Sequence, residues 1–137
     1  MKRYIVSLLV CFSLITATGG CAARRAPASL SGAGLAAWQA NEVVIALDAV
    51  MNSAIALNEL IQCDPNCHPV LSEQNARIVV QSVRSADIVI KQFPAGYTML
   101  AATALDQIDL YLDTAGKAKL SPYIAAARAI LVSLGGR

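Results

Sequence analysis

Residues 35–62 read LAAWQANEVVIALDAVMNSAIALNELIQ, and the spacing of their apolar side chains decides the fold class. Ala40, Val43, Leu47, Val50, Ala54, Leu57 and Ile61 recur at intervals of three and four, so they share one face of an α-helix. Asn41, Asp48, Asn52 and Glu59 fall on the opposite side as a narrow polar stripe. The stretch predicts a long first helix over residues 35–62.

The same period continues beyond it. Cys63-Asp64-Pro65-Asn66-Cys67-His68-Pro69 is dense in turn formers and ends the first helix. A second helix follows, with Ser72 as N-cap and Leu71 and Ala76 placed as a hydrophobic staple. Ala76, Val79, Val83, Ala86, Ile90 and Phe93 form its expected buried stripe. Glu73 with Arg77 and Asp87 with Lys91 are acid-first pairs four apart on a solvated face. Pro94-Ala95-Gly96 breaks the chain before a third helix over about residues 98–115, whose inward set is Ala101, Leu105, Ile108 and Leu112 and which Gly116 is placed to close. The fourth helix is expected to take Ser121 as N-cap and Pro122 as its first residue. It then buries Ile124, Ala127, Leu131 and Leu134. No segment alternates with the period of a strand. Short connections make successive helices antiparallel neighbours, so residues 35–137 are expected to form a small all-α, up-down-up-down four-helix bundle.

Composition narrows the function classes. The 137 residues are 56% hydrophobic and 15% charged, too apolar for a disordered chain and sufficient for one domain. Removing Lys2 and Arg3 from the eleven basic residues leaves nine against nine acidic ones, so the body of the chain is neutral. That balance leaves no electrostatic footprint for nucleic acid, and aromatics at 5% offer no stacking platform for single strands.

The N-terminus has the layout of an export signal. Lys2-Arg3 supplies a positive start and Tyr4 to Ile15 an apolar core, too short to span a bilayer, which takes about 20 apolar residues. Its end, Gly19-Gly20-Cys21, resembles a bacterial lipoprotein signal, with Thr18 standing where an aliphatic residue is usual. The resemblance implies that residues 1–20 are removed, that Cys21 carries the lipid, and that residues 21–34, rich in Ala, Ser, Gly and Pro, are a flexible tether. Ala22 after the cysteine resembles the pattern sent to an outer membrane in some bacteria. The alternatives are a plain secreted protein, soluble in the periplasm or outside, cut near Ala17 to Gly19 or after Ala22 or Ala23, and an uncleaved anchor. Cysteine parity favours the lipid. Cys11 leaves with the signal, Cys63 and Cys67 are close enough to pair, and Cys21 is left odd in an oxidising compartment.

Few residues carry chemistry. Cys63 and Cys67 sit four apart around a turn, as a disulfide requires, and the five-residue loop makes the bond worth about 2 kcal/mol. His68, the single histidine, follows directly, so the corner resembles the c-type haem attachment motif with one extra residue between the cysteines; Met51 or Met99 would then be the second axial ligand. Zinc would have to take Cys63, Asp64, Cys67 and His68 from six consecutive residues, and no metal site is expected. Asp106, Asp109 and Asp113 share a helical face and read as its solvated side, with Lys117 a surface partner for Asp113. No nucleophile elbow, Walker A, dinucleotide glycine pattern or metalloprotease helix is present in the sequence.

The expectation is therefore an exported, lipid-anchored helical interaction or scaffold protein of the bacterial cell envelope, with no evident catalysis and no cofactor. Its contacts would be the membrane, through the lipid, and a protein partner or second copy through the first helix around Trp38, Val44 and Met51, with Trp38 also readable as an ordinary aromatic packed at the end of the core. Two rivals stand beside it: a c-type haem electron carrier using Cys63, Cys67 and His68, and a carrier for a small apolar ligand held between helices.

Overall fold

The computed structural model describes residues 25–63 and 66–135. Four helices account for most of them: α1 (Gly32–Glu59), α2 (Glu73–Gln92), α3 (Tyr97–Tyr111) and α4 (Thr114–Gly135). Two three-residue strands, β1 (Ile61–Cys63) and β2 (Cys67–Pro69), lie between α1 and α2. The chain folds as an all-α four-helix bundle in which α1 packs against both α2 and α4, α2 packs against α3, and the α3–α4 side is the least extensive.

α1 begins at Gly32, whose φ of 55° turns the chain into the helix, three residues earlier than the hydrophobic pattern places it. Its apolar stripe is buried as read, through Ala40, Val43, Leu47, Val50 and Ala54. The C-terminal boundary differs. Leu60 adopts extended geometry after its N–H reaches Ala56 O, and Ile61, expected on the buried face, instead enters β1 and is 56% exposed. The strand itself corrects the expectation that the chain holds none: β1 and β2 pair antiparallel with Ile61 opposite Pro69, Gln62 opposite His68 and Cys63 opposite Cys67. The turn chemistry of this corner thus closes a hairpin rather than an irregular loop.

α2 matches its reading at the start. Ser72 Oγ accepts from Asn75 N at 3.3 Å, Leu71 and Ala76 are buried, and Val79, Val83, Ala86 and Ile90 line the core. Phe93 does not continue the stripe. Its backbone leaves the helix there (φ −130°, ψ 69°), the 3₁₀ turn Pro94–Gly96 follows, and the ring is 64% exposed.

The third connection departs furthest from expectation. α3 ends at Tyr111, not near residue 115, and α4 starts at Thr114, not Ser121, so Gly116 opens a helix instead of closing one and Pro122 lies inside it. Asp113 is the reason. Its Oδ1 accepts from Gly116 N at 2.7 Å, which satisfies a free N–H of the first turn as an N-cap does. Leu120, fully buried, then holds these roughly two added turns against the core. Pro122 offers no N–H to the carbonyl of Ala118, and both residues face water, which supplies the missing partner at low cost.

Eight of the twenty-two buried apolar residues described are alanine, so the helices approach closely and bury modest area per residue. The bundle has two distinct ends. At the hairpin end lie the C-terminus of α1, the N-terminus of α2 and the α3–α4 turn; Asn58 Nδ2 donates to Leu71 O at 2.9 Å there. At the entry end lie the N-terminus of α1, the α2–α3 turn and the C-terminus of α4; Gln39 Nε2 and the Tyr97 hydroxyl both donate to Leu134 O, at 2.9 and 3.1 Å.

Candidate functional site

Cys21 and the leader lie outside the described residues. The remaining sequence candidates gather at the hairpin end. The Sγ atoms of Cys63 and Cys67 stand 2.02 Å apart, at disulfide distance, joining the two strands where they face each other. His68 is exposed beside them, its Nδ1 2.9 Å from Asn66 O. A c-type haem needs both sulfurs to bond its vinyl groups, and sulfurs bonded to each other cannot do so. Nor does either methionine come near. Met99 sits in the first turn of α3 at the entry end, twelve residues, about 18 Å, from the end of that helix at Tyr111. Met51 is ten residues, about 15 Å, up α1. The residues do not fit the group. Among the described residues no three His, Cys, Asp or Glu side chains come together as a metal site.

The three aspartates of the presumed solvated face have separate tasks. Asp106 and Asp109 both accept from Arg128 Nη2, at 2.9 and 2.8 Å, tying α3 to α4 across the least extensive side of the bundle. Partial burial alone would lower the pKa of Arg128, but the hydrogen bonds and charge of the Asp106 and Asp109 carboxylates outweigh it and hold the guanidinium above its ordinary value. Asp113 caps α4 instead of pairing with Lys117. The hydrogen bond from the Gly116 backbone, then that from Asn75, holds its carboxyl below the usual range.

Asn75 is the one buried polar residue among those described, and sequence spacing does not single it out. Its Oδ1 accepts from Asp113 N at 3.4 Å, and a methyl group on Gly116 would meet its Nδ2 at 2.5 Å. Asn75 thus braces the α3–α4 turn from α2, with Gly116 leaving the room. Lys119 adds a bond to Val70 O. The only local signal of this network is the Asp113-x-x-Gly116 spacing of an N-cap, and the partners lie 38 or more residues apart in the chain.

The predicted surface of the first helix is only partly outward. Val44 is buried, Trp38 and Met51 are half-buried, and Ile45 is the large apolar side chain that α1 exposes. α1 is long and apolar enough to cross a membrane by length and composition, with a mean hydropathy of 1.4, but its core face is occupied by α2 and α4. Two shallow surface clefts stand beside it and between α2 and α3, of about 210 and 150 Å³. Both are smaller than the 300–1,000 Å³ of ordinary small-molecule sites. Burial pushes the Tyr97 phenol up, consistent with its place between the entry-end turn and Leu134 O.

No family model, curated protein or solved structure is significantly similar to the chain.

Proposed function

We propose that the protein is an exported, lipid-anchored bundle of the bacterial cell envelope, tethered through Cys21 and working by presenting its surface to a partner rather than by turning over a substrate. The observation that carries this reading is the cysteine accounting. Cys63 and Cys67 stand at bonding distance from each other, so in the exported chain Cys21 is the cysteine left over, directly after Gly19-Gly20 at the end of an apolar leader. A thioether to lipid uses that sulfur and removes a free thiol from an oxidising compartment. A single acyl chain holds a protein only marginally, so the stable anchoring of this reading rests on the several chains of a processed lipoprotein.

Electron transfer through haem loses its support with the paired sulfurs, and the two shallow clefts of about 210 and 150 Å³ give a ligand carrier little to work with. The interaction role is supported by side chains with large apolar surface left in water at both ends of the bundle, Phe93 and Met99 at one and Leu60, Ile61 and Tyr111 at the other. Expression of the full chain beside its Cys21→Ser variant tests the anchor. The native chain should partition into the detergent phase and the membrane fraction, and the variant should retain its signal or appear in the soluble fraction. Equal solubility of the two would make the protein a plain secreted one.

A further inference from the structure

The charged side chains of the bundle are distributed unevenly along its axis. Residues 32–41 of α1, 92–105 through the turn into α3, and 129–135 of α4 contain none. The first charge met from the entry end is Glu42 on α1, Asp106 on α3 and Arg128 on α4, about 15, 14 and 10 Å along the respective helices. α2 is the exception, with Arg84, Asp87 and Lys91 in its last three turns and the Lys91 ammonium held by Asp87 at 2.8 Å; Arg137, outside the described residues, follows α4 in the sequence. The hairpin end is the reverse: within a comparable depth stand Glu59, Glu73, Arg77, Asp113, Lys117 and Lys119.

Outside α2, this charge-poor end is also apolar where it meets solvent. Phe93, Met99 and Val132 are 64%, 69% and 66% exposed on three different elements, with Trp38 half-buried among the same turns. The chain enters α1 here. Ten residues lie between Cys21 and Gly32, a reach of at most about 37 Å, and the Pro27–Leu30 turn, closed by Leu30 N to Pro27 O at 3.0 Å, shortens it. Arg24 and Arg25 stand in that short span, where anionic headgroups attract them. Leu60, Ile61, Leu110 and Tyr111 are exposed too, but at the far end and among charges.

From these features we infer that the entry end of the bundle rests in the interfacial layer of the lipid surface to which Cys21 is attached. Phe93, Met99 and Val132 enter the headgroup region, and the charged hairpin end points away from the membrane. The inference rests on the anchored reading above. It adds an orientation: uncharged aromatic and aliphatic side chains gain from the headgroup–acyl boundary, whereas charged ones lose hydration there. It also assigns the two ends different tasks, with the hairpin end left free for a partner.

The chain has a single tryptophan, which makes the test direct. Phe93→Trp, Met99→Trp and Tyr111→Trp are each made in a Trp38→Phe background, and the mature lipidated proteins are reconstituted in vesicles of phosphatidylcholine with one quarter phosphatidylglycerol carrying brominated acyl chains. Emission from positions 93 and 99 should fall about twofold or more and that from position 111 by about a tenth or less, because bromine quenches only at contact with the acyl boundary. Equal quenching at all three positions, or none at 93 and 99 in protein that floats with the vesicles, overturns the orientation and leaves the anchor standing. A second copy covering this end would give that unquenched result together with dimers in sedimentation. If the intact mass shows no acyl chains, the anchor fails instead. Vesicles added to the soluble chain then decide the orientation alone: quenching at 93 and 99 supports it, and its absence overturns it.

Discussion

The two ends of this bundle close by different means. At the hairpin end, polar groups do the closing: Ser72 caps α2, Asp113 caps α4, Asn75 braces the turn between α3 and α4, Lys119 reaches Val70 O, and Cys63 with Cys67 clasps the strands. At the entry end a single carbonyl, Leu134 O, gathers Gln39 and Tyr97, and beside the Lys91–Asp87 pair Phe93, Met99 and Val132 leave apolar surface in water. The contrast teaches that helix ends with satisfied caps need no neighbour. The sparsely capped, charge-poor end is the one that gains by being covered.

Substitutions at the two ends should therefore behave differently. The largest loss is expected from Leu120→Ala, which empties a fully buried site beneath the α4 cap and should cost about 3 kcal/mol in denaturant unfolding. Phe93→Ala, at the other end and mostly exposed, should change stability by less than about 0.5 kcal/mol. Gly116→Ala comes next, at about 2 kcal/mol, because the new methyl has to displace the buried Asn75 amide. Gly34→Ala, whose methyl meets only Leu30 Cδ2 at 3.5 Å inside α1, should stabilise by about 0.7 kcal/mol. If both glycines tolerate alanine equally, the Asn75 brace is not what shapes the α3–α4 turn.

Opening the Cys63–Cys67 bond by double serine substitution should cost at most about 2 kcal/mol, and the loss should be confined to hydrogen-exchange protection near the hairpin. Spread of that loss to Gln39 and Tyr97 amides would show the ends to be one cooperative unit. The smallest effect is the pH dependence from Asp113. Its carboxyl is held below the ordinary range in the folded chain, so its contribution is complete above that range and is lost as pH falls through the lowered folded value. Melting temperatures between pH 5 and pH 2 should fall less steeply in Asp113→Asn than in the native chain, and parallel profiles would remove Asp113 from the account.

Much of the bundle was legible in the residues. The stripe of α1 from Ala40 to Ala54, the Ser72 cap, the pairs Glu73–Arg77 and Asp87–Lys91, at 2.7 and 2.8 Å, and the inward set Ala101, Leu105, Ile108 and Leu112 follow from local periodicity and stand as read. What local rules could not reach were contests between near and distant groups. Pro122 after Ser121 has the form of a helix start, yet burial of Leu120 and capping by Asp113 extend the helix through it. Phe93 continued the stripe by spacing and lost it to the turn at Pro94. Asn75 and Arg128 act on partners 19 to 38 residues away, which no window of a few turns contains. Of the candidate site, the pairing of Cys63 with Cys67 was readable from spacing, and the charge-poor end emerges only once the helices are laid side by side.

The intact mass of the mature protein tests the central claim most directly. The account predicts a chain that begins at Cys21, carries acyl chains on that residue, and is two hydrogens lighter than the reduced form through Cys63 and Cys67. A chain starting elsewhere, or Cys21 found as a free thiol without lipid, would contradict it.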